Sequence, residues 1–140
     1  MNYKISVVYL TYRPGGFDLL AHALVHQTYK NYELIVIDDY PNRNLKEWLE
    51  NQEIPVTYYG PSKEKSIKDT SYNQANVLNT ALIHVTGDLF LIYTDYTWIE
   101  PNVLEKWNKF FNNNGLRCIV AECGKEYEYS GTLHINDISV

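Results

Sequence analysis

Cysteine is scarce in this sequence, which contains only Cys118 and Cys123. Their spacing, CIVAEC, matches neither the CxxC motif of redox proteins nor the clustered pattern of a structural zinc site. Small domains held together by disulfides or by zinc are therefore excluded. We expect both thiols to be packed side chains in a reducing compartment.

Long apolar runs and an excess of positive charge are missing as well. The N-terminal run from Ile5 to Leu10 has six residues, too short for the core of a signal peptide and far too short to span a bilayer. The net charge of −5 gives the chain no general attraction to a nucleic-acid backbone. We expect a cytoplasmic protein with no transmembrane segment and no nucleic-acid partner.

The composition that remains is typical of one globular domain. The chain has 140 residues, of which 45% are hydrophobic and 21% are charged, and a domain of this size buries about two-thirds of its unfolded surface. No repeat or linker divides the chain, so we expect a single domain over residues 1–140. Many of the 13 tyrosines are expected to be half-buried.

Short apolar runs alternate with segments of helical spacing along the chain. Strands are expected at 5–10, 34–37, 56–59, 89–93 and 118–122. Helices are expected at 17–28, 44–51, 71–85 and 103–111, with a turn at 112–115. Because the strands are nearly all apolar, they predict a mainly parallel sheet covered on both faces, which is a three-layer α/β/α sandwich.

Polar side chains cluster directly after three of the expected strands. The loops read TYRPGG at 11–16, DDYPN at 38–42 and TDY at 94–96. Ligands of parallel sheets bind outside the carboxyl ends of the strands, where the connections diverge. We therefore expect Thr11, Asp39 and Asp95 to converge on one crevice.

Each of these features also has a purely structural interpretation. Asp38 and Asp39 could cap the turn that follows them. The pair Gly15-Gly16 lacks the spacing of a phosphate-binding loop. The four histidines show no metal-ligand spacing, and those on the helices are interpreted as surface or core-edge residues.

The order of the motifs resembles that of one known family. SVVYLTY at 6–12, QTYKNYE at 27–33 and the aspartate pair at 38–39 resemble the opening of family 2 glycosyltransferases, whose pattern runs SVVIPTYNR, QTY.NYE and IIVVDDGS. LNTAL at 78–82 and TGD at 86–88 resemble a second stretch of the same family. The resemblance implies a compact GT-A fold, the nucleotide-diphospho-sugar transferase type, lacking most of the acceptor region.

The resemblance also implies roles for individual residues. Thr11 and Tyr12 would border the nucleobase and ribose of a nucleotide-diphosphate sugar, with a UDP-sugar as the expected donor. Asp39, supported by Asp38, would accept hydrogen bonds from the uracil or the ribose. Asn79 would brace the crevice.

The metal site departs from the family pattern. Asp95 lies in the Asp-x-Asp segment, where carboxylates hold the Mg²⁺ or Mn²⁺ that bridges the two phosphates. Aligned on Pro101, however, Thr94 and Tyr96 take the positions of the two spaced aspartates. We expect Mg²⁺ or Mn²⁺ to bind weakly or not at all, and only together with the nucleotide, whose oxygens add negative charge. Three further residues could complete an irregular site: Asp38, Glu100 and His134.

Other charged groups of the family are replaced. Gln74 takes the position of a family lysine, and Leu78 that of an arginine beside the diphosphate. The lysines of PSKEKSIKD at 61–69 could substitute, although a solvated loop is the alternative. The family's general base is expected in an acceptor region beyond the position of Val140, so no catalytic residue is identified.

Three functions stay open. The first is a glycosyltransferase that transfers a sugar from a nucleotide-diphosphate sugar to an unidentified acceptor, with groups borrowed from a partner chain in a symmetric homo-oligomer. The second is a catalytically impaired pseudoenzyme or nucleotide-binding module. The third is a non-catalytic subunit that pairs with another protein. Metal-dependent nucleotide binding, metal-independent binding and no binding would distinguish them in that order.

Overall fold

A computed structural model describes residues 1–13, 15–40, 45–52, 54–60 and 74–115 of the chain. Strands and helices alternate along these residues. The strands are β1 (Ile5–Thr11), β2 (Tyr32–Asp38), β3 (Val56–Tyr59) and β4 (Leu89–Thr94). The helices are α1 (Phe17–Val25), α2 (Leu45–Glu50), α3 (Gln74–Ile83) and α4 (Val103–Asn114).

The four strands form one sheet in the order β3-β2-β1-β4, and every pairing is parallel. Ile5 of β1 lies opposite Tyr32 on one side and Leu89 on the other. The chain moves outward from β1 to β3 and then returns to the other side of β1 as β4. The connections therefore diverge at the carboxyl ends of β1 and β4, which is where such sheets bind ligands.

Helices pack on both faces of the sheet, so the expected three-layer α/β arrangement is confirmed. One face carries the larger core, to which β1, α1, α2 and α4 contribute Val7, Tyr9, Leu24, Leu49 and Leu104. On the other face, α3 packs on β1 and β2 through Val77, Ala81, Val8, Leu10, Ile35 and Ile37.

Strand β4 differs from the expected buried strand. Leu89 is buried, but Phe90 and Ile92 on the opposite face are 49% and 43% exposed. The reason is that α3 packs on β1 and β2, next to β4 in the sheet. An apolar run by itself does not tell which of its faces a helix will cover.

Helix α3 also buries a different set of side chains than expected. The helical spacing of residues 71–85 predicts Ala75, Leu78, Leu82 and Val85 on the inward face. Ala75 and Leu82 are instead exposed, whereas Val77 and Ala81 form the buried contact. Leu78, which was expected inside, does pack partly buried against the second core. Apolar residues occur on more than one side of this helix, so their spacing did not determine the inward face.

Two helix ends were also predicted wrongly. α1 ends at Val25, before the expected residue 28. α4 continues to Asn114, so residues 112–114 are helical rather than part of a turn. Gly115 then leaves the helix at a φ of 75°.

Several expectations fall outside the described residues: the strand at 118–122, both cysteines, the lysines of 61–69 and His134. Within the described ranges, no helix combines the length and apolar character needed to cross a membrane.

Candidate functional site

The carboxyl ends of β2, β1 and β4 carry a row of buried polar side chains. The register places Thr11 opposite Asp38, and Asp95 directly follows β4. Side chains alternate along a strand, so Thr11 points to the same face as Tyr9, which belongs to the larger core. Relative exposures of 0%, 0% and 7% for Thr11, Asp38 and Asp95 show that the row is buried.

The Asp95 carboxylate accepts hydrogen bonds at both oxygens. Oδ1 accepts from the Tyr9 hydroxyl at 2.8 Å and from Thr11 Oγ1 at 2.5 Å. Oδ2 accepts from the backbone N–H groups of Tyr12 at 3.1 Å and Arg13 at 3.2 Å. A carboxylate offers about four acceptor positions, so these donors fill them. Asp95 thereby ties the end of β4 to β1 and to the start of the β1–α1 loop.

The two aspartates after β2 have different surroundings. Asp38 accepts from the backbone N–H of Tyr40 at 3.0 Å and from the Tyr58 hydroxyl at 2.9 Å. It therefore caps the turn, as its structural interpretation predicted. Asp39 is half-buried, and its backbone N–H donates to the Thr11 carbonyl at 2.8 Å. Thr11, Asp39 and Asp95 thus lie together at the carboxyl ends of β1, β2 and β4, since Thr11 contacts both Asp95 and the Asp39 N–H. That their side chains line one crevice and bind a nucleotide stays a prediction.

Tyr96 fills the space next to Asp95. Its φ of 64° lies in the left-handed region that few non-glycine residues adopt. A Cβ at Gly16 would lie 2.9 Å from both Cδ1 and the backbone nitrogen of Tyr96, so the ring packs directly on the glycine that precedes α1. Tyr96, which takes the position of a family aspartate, therefore packs its ring against the β1–α1 loop.

A positive charge lies next to the Tyr12 ring. The Arg13 guanidinium stands 4.8 Å from the centre of the Tyr12 ring and donates to the Tyr12 hydroxyl at 2.6 Å. Arg13 itself is exposed. Sequence reasoning passed over this residue because it took the lysines of 61–69 as the candidate cations.

Two other candidate residues, Asn79 and Glu100, have exposed side chains. Asn79 is exposed on α3, and Leu78 is half-buried. Glu100 is exposed and forms an ion pair with Lys106 at 2.8 Å. Among the residues that the structure describes, no three His, Cys, Asp or Glu side chains form a group that could hold a metal ion.

The model of the family described as "Glycosyl transferase family 2" matches residues 19–137. The chain belongs to glycosyl transferase family 2. A comparison with curated proteins gives no match. Among solved structures, S. aureus TarS 1-349 in complex with UDP is 22% identical with a TM-score of 0.65, over 79% of this chain and 32% of that one.

Two further TarS structures are similar to this chain as well. S. aureus TarS 1-349 is 21% identical with a TM-score of 0.65, over 79% of this chain and 32% of that one. A structure described as S. aureus TarS is 20% identical with a TM-score of 0.57, over 79% of this chain and 20% of that one. The chain thus spans about a third or less of these proteins. At such identities the likeness shows the fold, which is of the GT-A type.

At the amino ends of the strands, residues from the stretches that resemble family 2 motifs hold the fold together. Around Glu33, Ser6 Oγ donates at 2.6 Å, Lys4 Nζ at 2.7 Å and Thr86 N–H at 3.0 Å. Burial by itself would raise the pKa of Glu33, but these hydrogen bonds outweigh it and lower the pKa to about 2. We call the group formed by Lys4, Ser6, Glu33, Thr86, Gly87 and Asp88 the amino-end cluster.

The glutamine of the QTY motif also has a structural role. Gln27 is fully buried; its Nε2 donates to the Glu100 carbonyl at 2.7 Å, and its Oε1 accepts from the Leu104 N–H at 3.1 Å. Thr28 N–H donates to the Pro101 carbonyl at 2.7 Å. Gln27 and Thr28 therefore fix the β4–α4 connection of this chain, and with it the position of the Asp95 segment.

Besides Arg13, two tyrosines next to the candidate site were missed in the sequence. Tyr9 and Tyr58 place their hydroxyls on Asp95 and Asp38. Tyr9 stands two positions before Thr11, on the same face of β1, and this period of two was a usable signal. Tyr58 needed the register of β3 against β2, in which it lies opposite Val36.

Proposed function

We propose that this family 2 domain binds a UDP-sugar in the crevice at the carboxyl ends of β2, β1 and β4 and transfers the sugar to an acceptor hydroxyl. The observation that carries the proposal is the buried row of Thr11, Asp38 and Asp95 at the point where the strand connections diverge. UDP in the complex of S. aureus TarS supports uracil as the base. The sugar and the acceptor stay unassigned.

The residues around this row suit a nucleoside. Thr11 and Tyr12 border the base and ribose, and Asp39 accepts hydrogen bonds from the uracil N–H or the ribose hydroxyls. Its backbone is fixed in advance by the bond of its N–H to the Thr11 carbonyl at 2.8 Å, which reduces the ordering cost of binding. In the transfer, the bond from the sugar to the diphosphate breaks and a bond to the acceptor oxygen forms. The base that takes the acceptor proton stays unassigned.

Calorimetric titration with UDP tests the proposal, with ADP and GDP as competitors for base selectivity. Asp39→Ala is expected to weaken UDP binding by about 1–3 kcal/mol, because it leaves ligand donors without an acceptor. Glu50→Ala is the matched control, since this exposed carboxylate lies on α2 with its side chain 60% exposed. An unchanged affinity in Asp39→Ala would reduce Asp39 to a turn residue. Absence of UDP binding by the natural sequence would refute the proposal.

A nucleotide-binding module without transferase activity is the second candidate. It is favoured by Thr94 and Tyr96 at the positions of the spaced acidic residues and by the full set of donors around Asp95. Release of UDP from UDP-sugars, followed with a panel of acceptors, distinguishes the two. Binding without any turnover supports the module.

A further inference from the structure

The surroundings of Asp95 do not suit a divalent cation. Each carboxylate oxygen already accepts two hydrogen bonds, at distances of 2.5–2.8 Å for Oδ1 and 3.1–3.2 Å for Oδ2. A cation bound there would displace protein donors in a buried position, and its own dehydration would be offset by only one negative charge. The neighbouring positions hold the hydroxyl of Thr94 and the ring of Tyr96. Among the described residues, no three His, Cys, Asp or Glu side chains form a group that could hold a metal ion. The proposal below is the alternative to the untested expectation that a cation joins with the nucleotide, because such a cation would raise the nucleotide affinity.

The same hydrogen bonds let Asp95 position the backbone of the β1–α1 loop. They hold the consecutive N–H groups of Tyr12 and Arg13 against one oxygen, so they fix the backbone at the start of the β1–α1 loop. The Arg13 side chain then lies over the Tyr12 ring at 4.8 Å, beside the group assigned to the nucleoside. Lys106, in the first turns of α4, pairs with Glu100 at 2.8 Å and serves below for comparison.

We propose that diphosphate binding in this crevice does not depend on a divalent cation. Asp95 is a positioning residue that holds the Tyr12–Arg13 backbone, and Arg13 presents the positive charge to the diphosphate. A guanidinium is suited to this role, since its planar N–H groups can bind two phosphate oxygens at once. The proposal rests on the proposed function, because it assumes that UDP enters this crevice.

Calorimetric titrations with UDP and with uridine, each in EDTA and in Mn²⁺, test the proposal. For the natural sequence, we expect UDP affinities that agree within about twofold between EDTA and Mn²⁺. Arg13→Gln is expected to lower UDP affinity about tenfold or more and to leave uridine affinity unchanged, because uridine has no phosphate. Lys106→Gln is the matched control, with no change for either ligand.

Two results of these titrations would overturn the proposal. One is a gain of tenfold or more in UDP affinity with Mn²⁺ that disappears in Asp95→Asn, which would make Asp95 a metal ligand. The other is an equal loss of UDP and uridine affinity in Arg13→Gln, which would show that Arg13 does not act on the diphosphate.

Amide hydrogen exchange tests the positioning role without any ligand. The Tyr12 and Arg13 amides are expected to be protected in the natural sequence and to exchange at least tenfold faster in Asp95→Ala, which removes their acceptor. Amides of β2, such as that of Val36, should keep their protection and show that the variant is folded. Unchanged protection at Tyr12 and Arg13 would refute the positioning role. If neither UDP nor uridine binds the natural sequence, both the proposed function and the diphosphate-binding role of Arg13 are refuted. Amide exchange at Tyr12 and Arg13 then still tests the positioning role of Asp95.

Discussion

Replacing Glu33 by glutamine removes the negative charge at the centre of the amino-end cluster. The carboxylate accepts from Ser6 Oγ at 2.6 Å, Lys4 Nζ at 2.7 Å and the Thr86 N–H at 3.0 Å. These bonds join the start of β1, the start of β2 and the loop before β4. Glutamine offers one acceptor oxygen and brings an NH₂ group towards the remaining donors, so we expect the sheet to lose stability.

The depressed pKa of Glu33 gives the size of this loss. Converted to free energy, a fall of the pKa from 4.5 to about 2 corresponds to at most about 3 kcal/mol of unfolding free energy. Water still reaches 18% of the Glu33 side chain and 39% of that of Lys4, which weakens the ion pair. We therefore expect Glu33→Gln to lower the free energy of unfolding by about 1–2 kcal/mol at pH 7.

The effect should also depend on pH. Because the folded-state pKa lies below the unfolded one, the stabilisation by Glu33 is complete above pH 4.5 and decreases as the pH falls towards about 2. Urea unfolding, followed by tryptophan fluorescence at pH 7 and at steps down to pH 3, measures it. The difference between the natural sequence and Glu33→Gln should narrow over this range.

Glu50→Gln is the control for this measurement. Its side chain is 60% exposed and lies 3.8 Å from Lys46, so we expect a change below about 0.5 kcal/mol. Equal unfolding free energies for Glu33→Gln and Glu50→Gln at pH 7 would refute the reasoning. So would a difference from the natural sequence that stays constant from pH 7 to pH 3.

Two further substitutions test the connections that hold the site in place. Gly87→Ala places a Cβ 2.6 Å from a backbone carbonyl oxygen just before β1 and should lower the free energy of unfolding by about 1–3 kcal/mol. Gly60→Ala is its control and should change the stability little, because the nearest atom to the new Cβ is at 3.6 Å. Equal melting temperatures for the two variants would contradict this reasoning. Gln27→Ala removes the acceptor of the buried Leu104 N–H and one of two donors to the Glu100 carbonyl, which also accepts from the Val103 N–H. It should cost about 1–3 kcal/mol in urea unfolding. Gln52→Ala removes one bond of 3.2 Å to a backbone carbonyl and serves as its control; a loss no greater than in the control would mean that water replaces Gln27.

The sequence by itself determined the layers of the fold and the end of the sheet at which the polar loops meet. Apolar runs with a period of two or of 3.6 are local signals, and they identified all four described strands and all four described helices to within a few residues. Once the strands are parallel, their carboxyl ends must lie at one edge of the sheet. The convergence of Thr11, Asp39 and Asp95 follows from this geometry and needed no knowledge of side-chain contacts.

The tertiary structure decided what the acidic residues do. Whether a carboxylate is available to a ligand depends on the donors that surround it, and those come from residues far away in the chain, as with Thr11 and Asp95, which are 84 positions apart. No local pattern encodes that Tyr9 and two loop amides occupy the oxygens of Asp95, or that Glu33 joins Lys4 to Thr86. The faces of β4 and α3 were likewise set by the position of one helix across β1 and β2, because burial is a property of the packed layers and not of the apolar run itself.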